Sequence, residues 1–366
     1  MTPLALAAVI ATMTSARPPS EELTLTALHP EELHPGKVSR RLAARGEVQG
    51  AQVAPGGEVV ALVSAGGRLQ LVRWSAAGAE KQRRDLEAPG PAAAWRLFED
   101  GSLTVLTPAA LLRVDAAGKV ARRPISLPVK EAERAAVGPG GAWLAFRDRL
   151  VHVGMEGEPL SRPAPISAPG PEFLPQALLV TGDGGCLLAE ELRQDFEVSG
   201  TAHRDLAVQT VLSLLDARGQ VKATRTLGEV TSWKEWFWKE KLPGNASPVP
   251  SSFGLVRTRH GGQAKVGLLA QEANGDFLVA GDGLYRLDGA LQARWQEGTR
   301  VDASVVSPAW MPGLVLSGGG GAAFRYDEKA GAPYRAPLRE VFTGRLDLTR
   351  AALGKDPAGA WFLVTW

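Results

Sequence analysis

The sequence predicts an all-β protein built from one four-stranded unit that recurs along the chain. Glycine (42) and proline (26) are abundant among the 366 residues, while aromatic residues make up 6%, which favours short strands and turns over long helices. A polar strand that opens with a turn glycine recurs seven times, and a pair of shorter apolar strands recurs with it. Four short strands in repeats of about 40 residues are typical of a β-propeller.

The polar strand is the easiest part of the repeat to follow. GKVSRR at 36–41 returns as GKVARR at 118–123, and an apolar strand often ending in Asp, as in LLRVD and LYRLD, precedes it. This is a hairpin of the form strand–Asp-x-x-Gly–strand. Four of the six intervals between turn glycines are 39 to 42 residues, and the other two, 62 and 70, contain insertions. The turn glycines are Gly36, Gly78, Gly118, Gly157, Gly219, Gly289 and Gly331.

The two inner strands of each unit come before the hairpin. An apolar strand such as PGGEVVALVS or PGGAWLAF follows a short run of small residues, as expected for strands crowded at an axis. The last copy, PAGAWFLVTW, ends the chain without outer strands, whereas ELTLTAL at 22–28 and GKVSRRL lack inner strands. We therefore expect seven four-stranded blades, one of them closed by pairing of the N- and C-terminal strands.

The basic phrase does not indicate a nucleic-acid partner. The chain has 41 basic and 39 acidic residues, so it lacks the basic field that displaces phosphate counterions. On an outermost strand, the arginine pairs 40/41, 83/84 and 122/123 would instead block edge-to-edge association.

The N-terminus, MTPLALAAVIATMTSA, is typical of a secretory signal peptide cleaved after Ala16, with a membrane anchor as the alternative. Residues 17–366 would then form a single periplasmic or extracellular propeller domain. No later stretch approaches the ~18–20 apolar residues of a transmembrane helix. The single cysteine, Cys186, lies in the apolar run GGCLLA and is expected to be a buried, inert thiol.

One stretch, NGDFLVAGDGLYRLDGALQARW at 274–295, resembles the repeat of the pyrroloquinoline-quinone-like (PQQ-like) propellers, and the overall repeat is WD40-like. The likeness consists of the Gly281-Asp282-Gly283 turn, the strand Leu284–Asp288 and the closing Trp295. It implies a propeller fold. Quinoprotein dehydrogenases of that superfamily carry a vicinal cysteine pair, which one cysteine cannot supply, so no cofactor is expected.

Motifs of catalysis or metal binding are scarce. The sequence contains no Walker A motif, no HExxH and no G-x-S-x-G. HPEELHP at 29–35 places His29 and His34 around two glutamates, but the repeat assigns it to a hairpin turn, and no metal site is expected.

Two insertions interrupt the period, at 191–209 and 228–263. The first separates the second and third strands of the fourth blade, and the second separates two blades, so both should emerge on one face. Long insertions on a rigid scaffold are typical places for binding residues. We expect binding residues among Trp233, Trp236, Phe237 and Trp238, and among Asp195, His203 and Asp205.

The spacing of Trp233, Trp236 and Phe237 would align them on one face of a short helix. That face is either a lid packed over the channel or an exposed patch for a partner. Asp195, His203 and Asp205 are either an acid–base group or solvated loop residues.

The sequence favours a non-enzymatic binding scaffold, a monomer that takes a protein or small-molecule ligand on the face with the insertions. The alternative is a propeller enzyme of hydrolase or lyase type with its site at the channel mouth, because a fold does not fix a function.

Overall fold

The structure is a computed structural model. The residues that it describes are 21–29, 34–163, 173–197, 203–236, 257–260, 266–281, 283–297, 303–306, 314–317, 322–326, 333–337 and 350–366. The segment 1–20, which holds the expected signal peptide, lies outside them. Among the described residues, no helix is long and apolar enough to cross a membrane.

The chain begins with two strands, β1 (Glu22–His29) and β2 (His34–Ala43), and then forms three complete sheets in sequence order. Blade 1 contains β3 (Glu47–Val53), β4 (Val59–Ala65), β5 (Arg68–Trp74) and β6 (Glu80–Pro89). Blade 2 contains β7 (Ala94–Leu97), β8 (Leu103–Leu106), β9 (Ala110–Val114) and β10 (Val120–Pro124). A 3-10 turn (Val129–Glu131) leads to blade 3, with β11 (Arg134–Gly138), β12 (Gly141–Ala145), β13 (Arg149–Gly154) and β14 (Leu160–Pro163).

Three further sheets follow. Blade 4 contains β15 (Phe173–Val180), β16 (Cys186–Glu197), β17 (His203–Leu215), β18 (Val221–Trp236) and β19 (Arg257–His260). Blade 5 contains β20 (Val266–Gln271), β21 (Phe277–Gly281), β22 (Leu284–Leu287) and β23 (Ala293–Glu297). Blade 6 contains β24 (Ala303–Val306), β25 (Leu314–Ser317), β26 (Ala322–Tyr326) and β27 (Pro333–Pro337).

The two chain ends meet in one further sheet, the closing blade. β28 (Ala351–Lys355) and β29 (Trp361–Thr365) form its inner half, and the strand order is β2-β1-β29-β28. Thr24 lies opposite Thr365 and Leu28 opposite Trp361 in the antiparallel ladder. The GKVSRR phrase is therefore part of β2, the outermost strand of this blade.

The expectation of seven four-stranded blades is wrong. Within the described residues six sheets have four strands, and blade 4 has five. The extra strand is β19, in which Arg257 to His260 pair with Glu235 to Ser232 of β18. The second insertion supplies it, because a strand edge offers unpaired backbone groups that a nearby segment can satisfy.

Buried apolar side chains join neighbouring blades around an axis. Each innermost strand contacts the next in the ring order β28, β3, β7, β11, β15, β20 and β24, and β24 contacts β28 again. Leu23 and Val364 of the closing blade, for example, share a fully buried cluster with Val59 and Val72 of blade 1. The sheets thus surround a central channel, the arrangement of a β-propeller.

Glycines allow the innermost strands to approach one another. A Cβ on Gly138 of β11 would lie 2.3 Å from Cγ1 of Val180 in β15, and one on Gly354 would lie 2.4 Å from Cγ1 of Val53. Contacts that short do not occur between real side chains. The small residues of these strands are therefore required by the close approach of adjacent blades.

Side chains of one blade also donate hydrogen bonds to the next blade's first turn. Arg73 Nη2 donates to the carbonyl of Gly101, at 2.6 Å, and Arg113 donates to the carbonyl of Pro139. In blade 3 the donor is Trp143, whose Nε1 lies 3.0 Å from the carbonyl of Gly184. The same contact is thus made by an arginine at two blade interfaces and by a tryptophan at the third.

The arginines of the outer strands make a second set of contacts between blades. Arg40 donates to the carbonyl of Ala76, Arg162 Nε lies 3.2 Å from the carbonyl of Arg218, and Arg225 Nη1 lies 2.9 Å from that of Leu291. In each case the acceptor belongs to the outer hairpin turn of the next blade. The recurring basic residues therefore connect blades, a role that the sequence alone did not indicate.

Candidate functional site

Blade 4 departs from the other blades by its length. β16, β17 and β18 have 12, 13 and 16 residues, whereas the second, third and fourth strands of the other blades have four to ten. The added residues are 192–197, 203–209, 228–236 and 257–260, which we call the extended sheet. Both insertions thus contribute to one sheet, at the end of the ring where the innermost strands begin.

The expected helix around Trp233 is absent. Residues 221–236 are a continuous strand, in which Trp233 lies opposite Leu206 and Trp236 opposite His203. The long partner strand β17 offers a hydrogen-bonding ladder, and tryptophan and threonine have high strand propensity, so pairing prevails over the helical spacing. Phe237 and Trp238 lie outside the described residues.

The register divides the expected acid–base group. His203 and Asp205 are two positions apart on β17, while Asp195 of β16 lies opposite Leu206. Positions 195 and 205 are therefore out of phase by one residue, which assigns them to opposite faces of a regular sheet. The backbone places His203 and Asp205 together and Asp195 apart from them.

Opposite charges alternate across the extended sheet. Glu197 lies opposite Arg204, Arg204 opposite Glu235, and Glu235 opposite Arg257. Cross-strand pairs of opposite charge stabilise a sheet by roughly 0.2–1 kcal/mol each. These charge pairs therefore stabilise the extended sheet at positions that lie beyond the apolar core between the blades.

A buried polar network lies at the base of the extended sheet. Gln176 Oε1 accepts a hydrogen bond from the backbone nitrogen of Val266 at 2.8 Å, and its Nε2 donates to Oε2 of Glu191 at 3.1 Å. Glu191 and Thr210 are 7% and 1% exposed. Gln176 thus joins the innermost strands of blades 4 and 5 and fixes the strand from which the extension departs.

Glu190, the neighbour of Glu191 in sequence, is a second buried carboxyl group. It is fully buried, its Oε2 lies 3.5 Å from Oγ of Ser213, and its Oε1 has no hydrogen-bond partner among the described residues. Burial raises the pKa of Glu190 to about 8, although the contact with Ser213 opposes this shift. The group is protonated at neutral pH.

The remaining sequence candidates do not form a site. His29 of β1 and His34 of β2 are cross-strand partners at the end of the outer hairpin, while Glu31 and Glu32 lie outside the described residues. Within the part of the chain that the structure describes, no three His, Cys, Asp or Glu side chains are grouped as metal ligands. Cys186 is buried, and burial raises the pKa of its thiol.

The sequence reading missed Gln176, Glu190 and Arg96, a residue of β7. Two of them had a signal in the repeat. Glu190 and Glu191 interrupt an apolar second strand, and Arg96 occupies an innermost strand at a position that is uncharged in other copies, such as GAQVA and VGLLA. A charge at a position that is uncharged in the other copies indicates a specific local role.

Comparisons with known proteins leave the function open. No protein-family model and no curated protein matches the chain. A streptogramin B lyase structure has a TM-score of 0.48 and 9% identity over 87% of this chain and 93% of that chain. Virginiamycin B lyase from Staphylococcus aureus has a TM-score of 0.46 and 10% identity over 94% of this chain and 100% of that chain. The WD40 domain of Neurospora crassa Pan2 has a TM-score of 0.40 and 7% identity over 94% and 96%. Likeness at this level carries no argument about activity.

Proposed function

We propose that this chain is a secreted or periplasmic binding scaffold, in which the propeller holds the extended sheet of blade 4 toward a partner. The observation that carries the proposal is the unequal length of the blades. β16 and β17 continue past the other blades from one face, and β18 and β19 widen the continuation to four strands. Recognition elements are commonly built on such departures from a regular scaffold.

The composition of the extended sheet supports recognition of a protein. Trp233 lies between Leu206 and Arg259 in one cross-strand row, beside the row of alternating charges. Tryptophan and arginine are enriched at the energetic centres of protein interfaces, and charged rims favour one partner over others. The polar network around Gln176 anchors the extended sheet to the ring.

The test compares the intact chain with a trimmed chain. In the trimmed chain, residues 194–207 are replaced by a two-residue turn and residues 229–262 by a short Gly/Ser loop, which shortens blade 4 to the length of the others. Partners are captured from an extract of the source organism with both proteins in parallel. Their affinity is then measured with purified components.

We expect a purified partner to bind the intact chain and not the trimmed chain. Both proteins should melt cooperatively. A matched control replaces Arg149, a half-buried residue at the same end of blade 3, with Gln and should retain the affinity. A partner that binds the trimmed chain with unchanged affinity would contradict the role of the extended sheet.

A further inference from the structure

Arg96 connects two blades that are not neighbours. It lies on β7, the innermost strand of blade 2, and its Nη1 donates a 2.9 Å hydrogen bond to the carbonyl of Val180 on β15. β15 belongs to blade 4, so this bond skips blade 3. β12 covers the outward side of β11, the innermost strand of blade 3. β7, β11 and β15 end at Leu97, Gly138 and Val180, so the guanidinium group of Arg96 lies beside these strand ends, at that mouth of the central channel.

The charge of Arg96 has no acidic partner in the part of the chain that the structure describes. Its contacts there are the carbonyl of Val180 and the ring of Phe98, 5.7 Å from the guanidinium carbon. Burial lowers the pKa of Arg96, yet an arginine remains charged at any physiological pH. Arg96 is half-buried, and a partly desolvated cation without a counter-charge is unfavourable, so an anion would compensate it.

A buried arginine of blade 5 shows the contrast. Arg286 of blade 5 is 4% exposed, and its Nη2 lies 2.8 Å from Oε2 of Glu272 and its Nε 3.3 Å from Oδ2 of Asp276. Its charge is thus compensated by two carboxylates within its own blade. Arg96 has no such carboxylate partner among the described residues.

The free donors of Arg96 match a particular ligand geometry. Nη1 is bonded to Val180, whereas Nε and Nη2 have no hydrogen-bond partner among the described residues. These two nitrogens form one edge of the guanidinium and donate parallel hydrogen bonds to two oxygens of a carboxylate or phosphate.

We propose that this mouth of the central channel binds a small oxyanion, a carboxylate or phosphate group, through the free Nε–Nη2 edge of Arg96. Val180 is the last residue of β15, and the extended sheet leaves the ring at the end where β15 begins. The anion site is therefore separate from the surface of the proposed function, and trimming the extended sheet should leave the anion affinity unchanged.

Titration calorimetry with sodium acetate and, separately, sodium phosphate tests the proposal, with chloride keeping the ionic strength constant. We expect saturable binding of at least one anion at one site per chain. Arg96→Gln should abolish it, and Arg96→Lys should weaken it at least tenfold, because lysine keeps the charge and lacks the planar fork. Arg113→Gln, in which the lost contact is to a turn carbonyl, is the control and should bind as the unsubstituted protein does.

A second measurement does not depend on the folding of any variant. In the intact protein, the Nε–H resonance of Arg96 should shift in the nuclear magnetic resonance spectrum as the anion is added, with the same apparent Kd as the calorimetry. Absence of saturable binding of both anions would overturn the proposal. So would an unshifted Arg96 resonance, or equal affinity in a folded Arg96→Gln protein.

Discussion

Arg123 of blade 2 donates a hydrogen bond to the carbonyl oxygen of Glu156, 3.2 Å away in the outer turn of blade 3. The same guanidinium also donates to the carbonyls of Gly154 and Gly157 in that turn. Its neighbour Arg122 is exposed and makes a single hydrogen bond within the described part of the chain, 3.3 Å to the carbonyl of Glu87. Arg123 thus makes more hydrogen bonds to a neighbouring blade than Arg122 does, although the two arginines are adjacent in GKVARR.

Arg123→Ala should therefore destabilise the protein more than Arg122→Ala. Hydrogen bonds to charged groups contribute about 1.5–3 kcal/mol when buried, and the partial exposure of Arg123 reduces this to about 1–2 kcal/mol. Surface changes such as Arg122→Ala stay within about 0.5 kcal/mol. Urea unfolding of both variants measures the difference, and equal free energies of unfolding would contradict the bridging role of Arg123.

Glu190 should make the stability depend on pH. Its pKa in the folded state, about 8, exceeds the ordinary value of 4.5. The folded state then holds a proton that the unfolded state has lost, so the contribution of Glu190 to stability declines as the pH rises from about 4.5 through about 8. We expect Glu190→Gln to remove this decline.

The measurement is the free energy of unfolding between pH 5 and pH 9 for the unsubstituted protein and for Glu190→Gln. The difference between the two should grow in favour of the variant as the pH rises. Glu158→Gln, which changes an exposed carboxylate, is the control and should follow the unsubstituted protein. Parallel curves for all three proteins would show that Glu190 is not a buried neutral acid.

Gly138→Ala tests the packing of the innermost strands. The new Cβ would lie 2.3 Å from Cγ1 of Val180, so blade 3 and blade 4 must separate or Val180 must leave its rotamer. Such overpacking costs about 1–3 kcal/mol. Gly140→Ala, two residues away with nothing within 4 Å of the added Cβ, is the matched control. Equal melting temperatures would argue against close contact at Gly138.

Removal of Ala360 to Trp366 tests ring closure. β29 pairs with both β1 and β28, and Leu363 and Val364 at its centre are fully buried. Without this strand the closing blade loses its middle and both neighbours expose unpaired edges, which promotes aggregation. We expect an insoluble protein or a much lower melting temperature. A soluble product with unchanged melting would show that the ring does not depend on this strand.

The N-terminal segment yields a prediction that mass spectrometry can check. If residues 1–16 are a signal peptide, the protein recovered from its native host begins at Arg17 and is found outside the cytoplasm. Recovery of an intact chain beginning at Met1, or of a membrane-bound form, would favour the alternative of an anchor.

The sequence by itself determined the repeating strand pattern and the pairing of the chain ends. Strand alternation, turn glycines and the Asp-x-x-Gly hairpins act locally, so they are visible along the chain; Asp115, for example, accepts a hydrogen bond from the backbone nitrogen of Lys119 at 2.7 Å within its own turn. The incomplete units at the two ends required each other, because each lacked the strands that the other had.

Only the tertiary structure decided what depends on contacts between blades. The helical spacing around Trp233 gave way to a strand because β17 offers a partner that is distant in the repeat, and the same pairing gave blade 4 a fifth strand. Arg96 and Arg123 both belong to blade 2, yet Arg96 bonds to the last residue of β15 in blade 4, whereas Arg123 bonds to the outer turn of blade 3. Their roles depend on which residues of other blades lie beside them, and these contacts form only in the closed ring.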